Sequence, residues 1–556
     1  MLRRALESAL PHWTALRHGT MTDSCSPGRR RLLRRLSGLL AAGVAPCMAP
    51  AYAHDGPAGD HAPIAPASRD TLTVVGPWEL TGLEPSRGGY MFGRMEVVQT
   101  LLDADDQGRL LPALASDWEV SPDGLEWRFF IAQGRLFHDG TPLTAGTVLV
   151  SLQRALATPG VLRLARIRSM ASARGAIVVT LAQPYAPLPY LFTHSGTQVL
   201  APASYGADGR VLRIIGSGPY RITAIALPQQ FDVAYFEDWR GAAPAVRRAR
   251  YISVSRAETR TLMVQSGQAD LAFSLDPPSI RRLLRQQNVQ LVAAPLPRTT
   301  FLKLNAGHPL LADVRVRRAI SLALDRDGIA RALLRDADLA ATQLFAPAMA
   351  LWHQPHLAPL RSDPPAARAL LRQAGYVPGP DGIVRRDGQR LALTLTTFVD
   401  RPELPLIATA VQEELRQVGI AIKVVVGNSS DIPAGHRSGA LEIGLVARNF
   451  GNLPDPVATL ADDYGVQGGD WGAMGWHGPR VSTALARLSG GGVAAGSAQA
   501  AQLRASIAGE LQQGLPVIPI VWYRQTVAMS RRVTGVAIDP FERSYRLSGI
   551  GWKATA

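Results

Sequence analysis

Cysteine is nearly missing from this 556-residue chain: Cys25 and Cys47 are the whole set, and both precede residue 54. From His54 onward no disulfide is available, and a chain of this size can bury an adequate core without one even in an oxidising compartment. Lysine is as scarce, with Lys303, Lys423 and Lys553 the only three among 59 basic side chains. No uninterrupted apolar run reaches the roughly 18 residues of a membrane span, which excludes a polytopic membrane protein. Hydrophobic residues make up 47% and charged residues 19%, a globular balance that excludes a disordered or fibrous chain. There is no Gly-x-Ser-x-Gly elbow, Walker loop, His-Glu-x-x-His or cysteine nucleophile, so the composition points away from an enzyme.

What is present in excess is positive charge, +15 formal. Residues 1–53 carry eight arginines against two acidic side chains, and so account for six of those charges. The remainder is arginine spread along the chain, with no block of like charge and no basic–aromatic interleaving, so no nucleic-acid partner is expected. Residues 1–53 read as an export signal. Arg29-Arg30-Arg31-Leu32-Leu33-Arg34 is a basic region, Leu36 to Ala49 a short apolar stretch, and Ala51-Tyr52-Ala53 a small-x-small cleavage site with His54 as the mature start. The arginine pair is of the twin-arginine type, although Gly28 in place of Ser/Thr leaves the general secretory route open. Met21 as initiator would give a signal of ordinary length. Val44-Ala45-Pro46-Cys47 faintly resembles a lipoprotein box, against which Pro46 argues. Residues 54–69, rich in Pro, Ala and Gly, are expected to be a disordered lead-in whose His54 and His61 lack a rigid metal shell.

From Asp70 short apolar runs alternate with helical stretches. Thr71–Val75, Trp127–Ile131 and Ile177–Leu181 read as strands. Thr144 is placed to cap a helix through Leu156, and Asp363 one that has Pro364-Pro365 in its first turn and Gly375 at its end. Leu391–Leu395, a helix from about Pro405 to Val418 and a strand from Ile420 to Val426 have the spacing of a parallel α/β unit. By length alone three or four domain-sized units would be expected.

Seven segments in order carry a more specific message. They are Leu111–Ala115 with Trp118–Gly124, Phe137–Ala145, Gly216–Tyr220, Gly267–Leu271, Leu302–Asn305, Asp313–Arg326 and Ala369–Tyr376. Together they resemble the extracytoplasmic solute-binding proteins of the peptide/nickel ABC-importer family, over roughly residues 70–550. Most are turn and core signals that mark a scaffold rather than a ligand. The resemblance implies an α/β, two-lobed periplasmic binding protein fold of type II, with a hinge-closing cleft and an extra subdomain in the first lobe. Lobe I would comprise 70–296 plus 525–556, with the subdomain at about 90–215, and lobe II 297–524. The crossings would fall near Pro295–Thr300 and Pro519–Gln525. The implied function is capture of a small molecule in the periplasm and its delivery to ABC permease subunits in the inner membrane, by a monomer with no resident cofactor. A ligand sensor or chaperone is the alternative on the same scaffold.

The stretch Ala447-Arg448-Asn449-Phe450-Gly451-Asn452-Leu453-Pro454-Asp455-Pro456 matches the family's cleft loop. The resemblance places Asn452 where peptide-binding relatives carry a carboxylate for the peptide amino terminus, and Ala447 where nickel-chelate relatives carry a histidine. Both departures count against the corresponding ligand contact. Arg448 offers a fork suited to a carboxylate, and Arg163 (or Arg166 or Arg168) would oppose it. Trp471 and Trp476 sit among glycines, either lining a ligand or packing into a core. Tyr90 lies in the segment after the first strand, which the resemblance implies reaches the cleft. His353 and His356 have metal-like spacing, but Pro355 between them favours a plain loop. These residues suit a small anion: a metal chelate of the opine-like metallophore type stands ahead of an anionic or ordinary di- or oligopeptide, and any metal would come only as part of the ligand.

Overall fold

The computed structural model describes residues 70–553 apart from Arg87, Asp400 and Gln467. The export signal, the lead-in with its two histidines, and both cysteines lie outside the described residues.

The local signals act as chemistry requires. The Thr144 side chain accepts from the Thr147 backbone N–H at the start of helix Ala145–Ala157, and Asp363 accepts from Ala366 at the start of Pro364–Gln373. Gly419 turns the chain at φ +91° after helix Glu403–Gln417, a conformation that only glycine adopts without strain.

Ten strands form one sheet in the order Ala421–Gly427, Ala392–Phe398, Ile443–Asn449, Val289–Leu304, Val517–Ser530, Leu271–Ala272, Thr71–Gly76, Arg248–Ser253, Gln230–Tyr235, Tyr220–Ala226. Each flank is partly parallel. Thr71–Gly76 runs parallel to Arg248–Ser253 and to Leu271–Ala272, and Ala392–Phe398 parallel to Ala421–Gly427 and Ile443–Asn449. The middle is the antiparallel pair Val289–Leu304 and Val517–Ser530, in register from Val289 opposite Ser530 to Lys303 opposite Val517. The register slips between Leu296 and Thr299 and again between Thr300 and Phe301. Pro297, which has no N–H to donate, lies in the first slip.

Apolar side chains gather in separate clusters, two of the largest along this sheet. One runs from Phe301 to Val521. Another joins Leu72–Val98 to Leu200–Phe231 and to Val527–Ile550. A third fills the space between the four-stranded sheet formed by Ala115–Val120, Glu126–Ile131, Ala176–Leu181 and Ile167–Ala173 and the Thr144-capped helix. Leu453 and Ala458, from the far half of the sequence, complete this third core.

Lys303 is the exception inside the Phe301–Val521 region. It is fully buried, and its Nζ donates to the carbonyls of Gly469 and Gly472, 2.7 Å each. That ties loop 465–476 to the long strand. Burial pushes the Lys303 ammonium down to about 7, against the pull of Asp463 and Asp470. Since the unfolded chain binds this proton more tightly than the folded one, stability tied to Lys303 should rise with pH between about 7 and 10.5. Urea unfolding of the wild type and Lys303→Met across that range should show the wild type gaining on the variant as pH increases. A pH-independent difference would contradict this. In the third core, Phe129 is fully buried with its ring 4.9 Å from that of Phe192. Phe129→Ala should cost about 3–5 kcal/mol by urea titration.

Candidate functional site

In an open α/β sheet, ligands sit beyond the carboxyl ends of the parallel strands. Here those ends, from both flanks, lead to one cluster. Thr71–Gly76 leads to Trp78, Leu271–Ala272 to Phe273, Ala392–Phe398 to Arg401, and Ile443–Asn449 ends at Asn449. The two long strands add Arg298 and Tyr523 at the register slip. Helix Tyr90–Arg94 and segment 537–546 close the arrangement.

Glu542 is its centre. Arg298 Nη2 donates to Glu542 Oε2 at 2.5 Å, and Asn449 Nδ2 donates to the same oxygen at 3.3 Å. Arg298 and Asn449 are partners in the strand pairing, so the register itself delivers both donors to one carboxylate. From the other side Arg94 Nε donates to the Glu542 carbonyl at 2.9 Å, and Arg94 Nη2 lies 3.8 Å from Oε1. Aromatic faces line the guanidiniums: Arg94 is 4.2 Å from the Trp78 ring centroid, 5.0 Å from Tyr90 and 5.8 Å from Tyr545. Arg298 and Arg401 lie 4.7 and 5.5 Å from Tyr523. Such contacts favour a desolvated arginine. Arg401 also stands 3.7 Å from Glu403.

The segment holding Glu542 is pinned by its neighbours. The Asp539 carboxylate accepts from the backbone N–H groups of Phe541, Arg543 and Ser544. Arg543 donates to Asp103 at 2.5 Å, and Arg546 pairs with Asp106. Burial alone would raise the Glu542 carboxyl, but Arg298, Arg94 and Arg401 outweigh it and hold it below the usual carboxylate range. Burial would equally weaken the Arg94 cation, and Tyr545, Glu542 and Tyr90 more than restore it. The Tyr90 hydroxyl is raised by burial, with Arg94 acting against. Arg94, Arg298 and Arg401 thus face Glu542 and Glu403, with Asp539 beside them paired to Arg543.

Of the residues expected from sequence, Tyr90 and Asn449 belong to this cluster. Arg448 does not offer the open fork expected of it. Its Nε and Nη2 donate to Asp463 at 2.7 and 3.0 Å, and Asp463 is fully buried on helix Val457–Tyr464. A buried carboxylate needs such a partner, and this one occupies the bidentate edge. Phe450 is core, edge-on to Phe345 at 5.9 Å. Trp471 and Trp476 are half-buried against the Phe301–Val521 core, Trp471 edge-on to Phe398 and Trp476 covering Gly478 and Gly514. Asn452, Arg163, Arg166 and Arg168 are exposed. His353 Nδ1 lies 2.8 Å from the Phe345 carbonyl, while His356 is exposed.

Sequence reasoning missed Arg94, Arg298, Arg401, Tyr523 and Glu542. Arg94 was within reach, one helical turn beyond Tyr90. Arg298 and Tyr523 lay inside the two expected crossings. Nothing local marks Glu542, which meets Arg298 across 244 residues of chain.

Among the described residues no group of three or more His, Cys, Asp and Glu is placed to hold a metal ion, and no helix is long and apolar enough to cross a membrane. The glutathione-binding protein GsiB of Escherichia coli K12 is 25% identical over 417 residues, 73% of this chain and 75% of that protein. NikA from Brucella suis, solved in complex with Fe(III)-EDTA, superposes with a TM-score of 0.78 at 22% identity, covering 87% of this chain and all of that one. The oligopeptide-binding protein AppA from Bacillus subtilis, solved with a nonapeptide, gives a TM-score of 0.72 at 17% identity, covering 88% and all of the respective chains. The fold is therefore the two-lobed α/β fold of the periplasmic binding proteins. Residues 109–471 match the family described as bacterial extracellular solute-binding proteins, family 5, middle region, and with that match over most of its length the chain belongs to the family 5 solute-binding proteins of ABC importers.

Proposed function

We propose that this protein captures a small, carboxylate-bearing ligand derived from amino acids between two lobes in the periplasm and presents it to its permease. The observation that carries the reading is the meeting of Arg94, Arg298 and Arg401 around Glu542 and Glu403 at the carboxyl ends of the strands, within aromatic walls. Guanidinium forks bind carboxylates with direction as well as charge, and rings on either side keep water away. The lobes divide at the register slip of the long strands, lobe I being 70–296 plus 525–556 and lobe II 297–524. Arg298 and Asn449 then act from one lobe, and Arg94, Tyr90 and Glu542 from the other. Closing the hinge assembles the site.

Glutathione, Fe(III)-EDTA and a nonapeptide, the ligands named for the relatives above, all carry carboxylates. Within that class a metal chelate of a small amino-acid-derived chelator stands first. The exposed Asn452 gives a peptide amino terminus no charged partner, and a chelate presents carboxylates without needing one. Any metal arrives with the ligand, and the protein acts as a monomer.

Native mass spectrometry of protein purified from its own periplasm should show a metal-chelate adduct, and a peptide adduct would replace that reading with peptide uptake. Arg298→Gln should weaken the identified ligand at least tenfold by calorimetry, with unchanged circular dichroism. Equal affinity would remove Arg298 from the site.

A further inference from the structure

We infer that Glu542 is a built-in stand-in for the ligand's carboxylate: it holds Arg298 and Arg94 together when no ligand is bound, and a ligand carboxylate replaces it. The inference rests on the preceding reading of the site and adds what that site does in the absence of its ligand.

Glu542 stands where an incoming carboxylate would have to stand. Its Oε2 takes Arg298 Nη2 at 2.5 Å and Asn449 Nδ2 at 3.3 Å, and its Oε1 is 3.8 Å from Arg94 Nη2. These are the donors that a ligand carboxylate bridging the two lobes would use. Two buried guanidiniums left without a counter-charge would be strongly destabilising, so the chain supplies one.

The hold is incomplete. Arg298 is 5% exposed, and its Nε is buried without a hydrogen-bond partner. Glu542 therefore engages one nitrogen of the Nε/Nη2 edge and leaves the other idle. A carboxylate seated squarely on that edge would use both, the geometry in which arginine binds carboxylates best. The internal occupant is a weaker partner than the external one can be, as a displaceable stand-in must be.

Space and backbone agree with exchange. The cavity beside Glu542, bordered by Trp78, Arg94, Gln525, Ser544 and Tyr545, measures about 20 Å³, room for a single water. That leaves little room for a ligand carboxylate beside Glu542. Glu542 also has φ +56°, a left-handed backbone that a non-glycine residue adopts at a cost and that tends to mark functional positions. Because Asp539, Arg543 and Arg546 anchor the segment on both sides, the Glu542 side chain can swing away without the loop leaving its seat.

The test compares wild type with Glu542→Gln, which keeps the shape and removes the charge, and Glu542→Asp, which keeps the charge and withdraws it by one methylene. Calorimetric titration with glutathione, Fe(III)-EDTA and the nickel–histidine chelate gives the dissociation constants, and circular dichroism confirms folding. For any probe the wild type binds, Glu542→Gln should bind at least threefold more tightly, with Glu542→Asp between the two. If the glutamine variant does not fold, the aspartate variant decides alone, and it too should exceed wild type. A probe bound by wild type but bound equally or more weakly by the variants overturns the stand-in role while leaving the carboxylate-binding reading intact. Binding of no probe by wild type or variants rejects both.

Discussion

Everything that matters in this molecule hangs on one backbone pairing. Val289–Leu304 and Val517–Ser530 are the middle of a ten-stranded sheet, and every other strand reaches its opposite flank only through them. An antiparallel ladder of this length is stiff along its hydrogen bonds, but it slips register at Leu296–Phe301, where Pro297 has nothing to donate. Stiffness and slip together locate the site. The ladder fixes which residues face each other, so Arg298 and Asn449 reach the same oxygen, and the irregularity lies beside them.

The electrostatics follow from that placement. Arginines drawn into a dry crevice need counter-charge and aromatic cover, and the fold provides both from segments far apart in sequence. Trp78 follows the first strand, Tyr523 rides on a long strand, and Glu542 comes from the C-terminal segment. Arg448 shows the opposite solution to the same problem. The Nε and Nη2 edge of its fork serves the buried Asp463, fifteen residues on. Lys303 ties down the Trp471 loop through the carbonyls of Gly469 and Gly472.

What the sequence could and could not say follows from the range of each interaction. Thr144 and Asp363 cap helices through atoms three residues away, and Gly419 needs only its own backbone, so all three were legible. The motif segments were legible as well, because turns and core faces repeat locally. The partner of Arg448 was not legible, because a fork reads the same whether it faces a ligand or an aspartate fifteen residues on. Trp476 was left open between two readings, because glycines around an indole look alike whether they open a pocket or, as Gly478 and Gly514 do here, provide flat ground to pack on. Glu542 was out of reach, since only the folded chain brings it to Arg298.

The scarcity of lysine takes on a meaning at the cleft. A guanidinium keeps its proton at any pH a living environment presents, whereas the one buried lysine of this chain is pushed near neutrality. A cleft built from arginine is therefore charged alike in acid and in mild alkali. Arg94, Arg298 and Arg401 therefore keep their cations over a range of pH in which a buried lysine would lose its own.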